Sequence, residues 1–240
     1  MPTTYFTLSA TYVDETAATL KARVSERFPD SGISRVASVL HNTTSETNER
    51  LVALQHPNRP LRAISYAGLG ICAAFTIGLA IFGAIDWTQF SKPLHFKEFV
   101  ELAEALLGTA VFITAFIVFV LTIEKRRKHR LVVEALNELR SLAHVIDMHQ
   151  LTKDPERART KGPNTESSPK RDLSLFELGR YLDYCTEMLA IVSKVAALYA
   201  QAFPEETVLR TVDQIESLSN GLSRKIWQKI MLLKTAEEQK

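Results

Sequence analysis

The chain has 240 residues, 46% of them hydrophobic, with 29 Lys and Arg against 27 Asp and Glu and a formal net charge of +2. Its two cysteines, Cys72 and Cys185, lie far apart in unlike segments, which excludes a disulfide framework and a C-x-x-C centre. The mild net charge decides nothing about partners, because apolar and charged residues are segregated into blocks rather than mixed.

Residues 1 to 60 read as an N-terminal cytosolic helical segment. "YFTLSATYV", residues 5 to 13, is rich in β-branched and aromatic residues and predicts a short strand or an extended arm. "DETAATLKARVSERF" opens on Asp14 with an early acid, the pattern of a capped helix. A second helix is expected from about Ser34 to Gln55, ending before His56-Pro57. Asn42-Thr43-Thr44 matches a glycosylation acceptor, read as a chance match because the topology below puts it in the cytosol.

Residues 61 to 124 form the expected transmembrane hairpin. Ala63 to Ile85, "AISYAGLGICAAFTIGLAIFGAI", runs 23 residues without a charge, and Ala105 to Ile123, "ALLGTAVFITAFIVFVLTI", runs 19. At roughly 1.5 Å per residue either can cross a bilayer core of about 30 Å. The first block begins too far into the chain, and is too long, for a secretory signal. Gly70, Ala74 and Gly78 recur every four residues, a ridge that lets a second helix approach closely, either the other span or another copy. Phe112, Phe116 and Phe119 make a stripe on the second span, and neither span holds an ionisable residue of the kind that marks an ion path.

Lys and Arg collect on the cytoplasmic side of spans. Arg59 and Arg62 precede the first, and Lys125, Arg126, Arg127, Lys128 and Arg130 follow the second, whereas the loop at 86–104 has only Lys92 and Lys97. This asymmetry predicts both termini in the cytosol. The basic cluster is expected to anchor against anionic headgroups, not to bind nucleic acid. Trp87 and Phe90 suit an interfacial belt.

From 125 to 152 the second span is expected to continue as a cytosolic helix. Val132, Leu136, Leu139, Ala143 and Ile146 step by four and three, the spacing of a bundle seam. Asp154-Pro155 ends it, since proline disfavours helix in the residue before it. "KDPERARTKGPNTESSPKRD", 153–172, reads as a flexible linker. Residues 173 to 236 predict a helical hairpin. Its first seam is Leu175, Leu178, Leu182, Cys185, Leu189, Val192, Ala196, Tyr199 and Phe203, and Pro204 makes the turn. Its second is Val208, Val212, Ile215, Leu222, Ile226 and Leu233, with Asn220-Gly221 expected to kink or split that helix.

One stretch, "HVIDMHQLTKD", concentrates side chains capable of chemistry. His144 and Asp147 share polar edges of a helix near Arg140, but His149 lies more than a third of a turn from His144, so one helix cannot aim both imidazoles at one ion. A solvated edge or interhelical hydrogen bonding is the expectation, and a metal-dependent enzyme at His144, Asp147 and His149 the least favoured alternative. Arg210, Arg224, Lys225, Trp227 and Lys229 read as an amphipathic surface.

Together these blocks predict an all-α protein: a two-span transmembrane helical hairpin with a cytosolic helical bundle or coiled-coil region. It would be a multi-pass protein of a bacterial inner or plasma membrane, with the lipid bilayer and a second copy or a helical protein as partners, and no cofactor. The expected role is interaction or signal coupling, not enzymatic. The alternative is a membrane-disrupting or pore-forming effector, of stress or phage-defence type, controlled by its cytosolic helices.

Overall fold

The computed structural model of the protein describes residues 7–55, 63, 66–71, 73–74, 77–78, 96–155, 166–167 and 173–238. Helix makes up 90% of it with no strand among the described residues, which decides the fold class as all-α. The long helices are α1 (Ala10–Arg27), α2 (Gly32–Gln55), α3 (Phe96–Leu151), α4 (Leu175–Ala202) and α5 (Glu206–Glu238). They divide between two compact units: Met1–Gln55 with Leu131–Lys240, and His56–Arg130.

The first unit is a bundle built around α4. Ser174 caps that helix with a full capping box: its hydroxyl accepts from the Glu177 backbone N–H, and the Glu177 carboxylate accepts from the Ser174 N–H at 2.8 Å. Along α4 the expected seam is buried from Leu178 to Tyr199. A second row, Tyr181, Tyr184, Met188, Ile191, Val195 and Leu198, is buried as well. Two rows one residue apart make an apolar arc wider than one partner helix can cover, and α4 is covered from two sides. On one side α5 packs back along it beyond the turn at Phe203-Pro204; on the other lie α1 and α2. The N-terminal helices, which the sequence sets apart as a segment of their own, are thus part of the core.

α1 starts four residues before Asp14, at Ala10, so residues 10–13 are helix and not the end of a strand or arm. The reason is tertiary. Val13 continues the buried row Ala17, Leu20 and Val24, and that burial outweighs the weak local preference of Tyr12 and Val13 for extended backbone. Residues 5 and 6 of that stretch lie outside the described residues. At the α1–α2 turn Asp30 adopts φ 55° and Ser31 accepts from the Ser34 N–H at 3.2 Å, an N-cap contact that opens α2 at Gly32. The two helices run antiparallel, pinned by Thr44 donating to Asp14 at 2.7 Å and by the Ser25–Ser34 hydroxyl pair at 2.9 Å.

The part of α3 from Leu131 to Leu151 belongs to this unit. Val132, Leu136, Leu139, Ala143 and Ile146 are buried, joined by Ala135 and Leu142. α5 is one helix across Asn220-Gly221; the pair does not split it. Both residues are exposed, while Ser219 and Leu222 beside them are buried, so packing on either side offsets the roughly 1 kcal/mol helix cost of a glycine. Val208, Val212, Ile215, Leu222, Ile226 and Leu233 are all buried, with Ile230 added. Of the expected linker only residues 153–155 and 166–167 are described.

The second unit contains α3 up to Arg130 and the described helical residues of the first apolar block, among them 66–71. α3 is long and apolar enough to cross a membrane, and its most apolar stretch has no part buried inside the protein. Most of the first block, including Cys72, and the loop residues Trp87, Phe90 and Lys92 lie outside the described residues.

Candidate functional site

The surface of the second unit is its most unusual chemical feature. Leu107 is 68% exposed, Val111 66% and Phe112 79%, with Ile71 at 70% in the first block. So much contiguous apolar surface is unfavourable in water and favourable in lipid. Two threonines on this stretch bond to their own helix: Thr114 donates to the Ala110 carbonyl at 2.8 Å and Thr122 to that of Val118.

Within this unit, among the described residues, the two blocks approach closely at Gly68. A Cβ there would meet Phe116 Cζ at 2.6 Å, so the middle ring of the phenylalanine stripe packs on a bare backbone. Gly70 and Gly78, with Ala74 the expected packing ridge, have nothing within 4 Å among the described residues, and all three are exposed. The ridge therefore looks outward from the chain.

The basic run begins where the apolar surface ends. Lys125, Arg126, Arg127 and Arg130 are exposed, and Lys128 is half-buried with Glu124 at 3.2 Å, one helical turn back. Arg59 and Arg62 lie outside the described residues.

Two polar clusters tie the bundle together, one at each end. At the end of α3, Gln150 is buried and fully engaged: its amide donates to Asp147 at 2.6 Å, and Lys229 of α5 donates to its side-chain oxygen at 2.6 Å and to its backbone carbonyl at 3.1 Å. Burial holds the Lys229 ammonium below the usual lysine range, against the opposing pull of Asp154 and Asp147. Tyr181 donates to the His149 carbonyl at 3.3 Å, and Lys153 lies 5.2 Å over the Tyr181 ring. Burial pushes the Cys185 thiol up to about 12, so at neutral pH it is a core hydrophobe and not a nucleophile.

The stretch that the sequence marks for chemistry is dispersed by the fold. His144 is exposed, Asp147 serves Gln150, and the His149 ring lies against Gly32 of α2. Among the described residues no group of three or more His, Cys, Asp and Glu is placed to hold a metal ion.

At the other end Arg50 of α2 donates to Glu46 at 2.9 Å and across to Glu138 of α3 at 2.9 Å. Burial pushes the Tyr199 hydroxyl on α4 up, and the Arg50 charge opposes that shift. Tyr199, itself 1% exposed, donates to Thr47 at 3.2 Å, and Thr47 donates to the Thr43 carbonyl at 2.7 Å. The two hydroxyls thus each have an acceptor inside the core. Sequence reasoning passes over Arg50, Glu138 and Thr47, because a charge or a threonine on an amphipathic helix signals nothing until its partner helices are known.

Two open clefts mark the bundle surface. One of about 460 Å³ between α1 and α4 is lined by Tyr12, Glu15, Arg23, Glu187 and Lys194 among others. A shallower one along α2 and α3 includes Val39, Thr43, Glu134 and Val145. Arg23 and Glu187 pair at 3.0 Å across the first. Neither joins a nucleophile to a base.

No protein-family model, curated protein or solved structure matches this chain.

Proposed function

We propose that this is a membrane-anchored helical coupling protein: residues 63–85 and 105–123 cross the bilayer as a hairpin, and the helical bundle stands in the cytosol. There it acts by pairing with a second copy or a helical partner, without catalysis. One observation supports this most strongly. The bundle is assembled from both sides of the insertion, Met1–Gln55 and Leu131–Lys240. A single packed core cannot straddle a membrane, so a chain that leaves it and returns must cross an even number of times. α3 provides one crossing helix, and the uncharged 23 residues from Ala63 are the segment available for the other. The Arg50–Glu138 bond agrees: it holds α2 five residues before Gln55 against α3 seven residues after Leu131, so both chain exits leave from one end of the bundle. The charge asymmetry, with Arg59, Arg62 and the Lys125–Arg130 cluster on the bundle side, favours the cytosolic face.

Thiol labelling of cells tests this reading directly. With a membrane-impermeant maleimide, a Lys92→Cys variant is expected to label in intact cells, and Ser9→Cys and Thr235→Cys only after permeabilisation. Labelling of Ser9→Cys or Thr235→Cys in intact cells, or release of the protein by alkaline carbonate, would overturn it.

A second reading rests on the outward-looking Gly70 and Gly78, which leave a small-residue edge for further helices to pack into a pore. A membrane-disrupting effector would depolarise cells on expression, and Gly70→Leu with Gly78→Leu would abolish the effect. Unchanged membrane potential favours the coupling role.

A further inference from the structure

We propose that Arg50 is a register pin, fixing α2 against α3 at the end of the bundle from which both chain segments leave, so that one exit cannot slide or turn against the other without breaking its bonds. Three observations carry this. Its guanidinium engages carboxylates on two helices at once, Glu46 in α2 and Glu138 in α3, each at 2.9 Å. A planar fork of five donors can do this, and a lysine ammonium cannot reproduce it. In the preceding turn of α2, Thr47 accepts from Tyr199 of α4 at 3.2 Å, and both residues are nearly inaccessible to solvent. A polar network threaded into an apolar core contributes little net stability, yet it tolerates only the register that satisfies every member.

Position gives the pin its meaning. Hydrophobic burial along α2 and α3 is non-directional and by itself names no partner atom for either helix. Directed bonds do. Other polar ties on α3 join it to α5, through Arg140 with Gln214 at 2.6 Å and Gln150 with Lys229, or to α4, through Tyr181 and the His149 carbonyl, and these do not constrain α2. The ion pair Arg23–Glu187 joins α1 to α4 and constrains neither exit. The link from the pin to a membrane signal rests on the proposed hairpin; the pin itself is a property of the bundle.

Amide hydrogen exchange on the full chain in detergent micelles separates the two. Arg50→Met and Glu138→Gln are each expected to speed exchange roughly fivefold to tenfold at 47–55 and 131–138, as loss of a charged hydrogen bond should. The double variant is expected to be no faster than Arg50→Met alone, because both break one network. Arg50→Lys should retain only part of the protection, and Arg23→Met should leave both segments unchanged. Unaltered exchange at the two exits, acceleration spread evenly over the bundle, or simple multiplication of the single effects would overturn the pin. Failure of the labelling test above with this pattern intact would remove only the membrane reading.

Discussion

The imidazole of His149, in the last turn of α3, rests on the bare Cα of Gly32 in the first turn of α2. A Cβ built on Gly32 would meet His149 Cε1 at 2.5 Å and Nδ1 at 2.9 Å. A glycine at the start of a helix is here a matter of clearance between two elements.

That contact fixes the outcome of a double-mutant cycle. Gly32→Ala should destabilise the bundle by about 1 kcal/mol, the low end of overpacking costs, because the ring is the end of a side chain and can partly give way. In a His149→Ala background the same substitution should be neutral or stabilising, by up to about 1 kcal/mol, since alanine favours helix over glycine. Urea unfolding of the four proteins in detergent gives the coupling. Equal effects in both backgrounds would show that the ring and the glycine are not in contact.

Acidification should act through the same histidine. Burial, with Arg35 and Lys153 nearby, lowers the His149 pKa below its ordinary value. In the unfolded chain the imidazole takes its proton near pH 6.5, as ordinary histidines do. Between that value and the lowered folded one the unfolded state binds more protons, so stability falls as pH drops through this window. Replacing His149 with Gln should flatten the fall in urea midpoint below pH 6.5. A variant that loses stability as steeply as the native chain would contradict the assignment.

Burial of α4 on two sides gives an unequal pair. Met188 and Leu189 are both fully buried, one in each row, so Met188→Ala and Leu189→Ala should each cost about 2–5 kcal/mol. Met148 is exposed on α3, and Met148→Ala should stay within about 0.5 kcal/mol of the native chain. If α4 served a single seam, Met188→Ala would resemble the exposed control. Thermal unfolding followed by circular dichroism distinguishes these outcomes.

In the second unit Gly68→Val should weaken packing of the two apolar blocks, because the added atoms enter the Phe116 ring, and Gly70→Val should not. Detergent-solubilised variants should accordingly show a lowered thermal midpoint for Gly68→Val alone. An additional Phe116→Ala, which clears the space, should restore much of the loss. A larger effect at Gly70 than at Gly68 would reverse the assigned faces.

Much of the architecture was legible because helical periodicity depends on one chain alone. The seams on α4 and α5, the seam of α3 from Val132 to Ile146, and the stop before Pro155 follow from spacings of three and four and from the clash that disfavours helix in the residue before a proline. Even the two-sided burial of α4 leaves a trace, since Tyr181, Tyr184, Met188, Ile191, Val195 and Leu198 repeat the seam's spacing one residue earlier. Reading only one row hides the fact that the helix is central.

Other features were not legible, since they are relations between segments far apart in sequence. Asp14 looked like a helix start, and only Val13 in the core moves that start to Ala10. Asn220-Gly221 looked like a break, and packing of Ser219 and Leu222 carries the helix through. The spacing of His144 and His149 keeps both from one ion but does not say where each side chain goes; the fold leaves His144 exposed, gives Asp147 to Gln150 and rests the His149 ring on Gly32.

The sequence by itself determined that the chain is helical and that α3 carries an apolar stretch long enough to cross a bilayer, because both depend on local composition and a fixed rise per residue. The tertiary structure alone decided that residues from both sides of that stretch share one core, and that Arg50 meets Glu138 while Tyr199 meets Thr47. Hydrophobic burial is non-directional and names no partner; only the packed arrangement brings the donors of one helix to the acceptors of another.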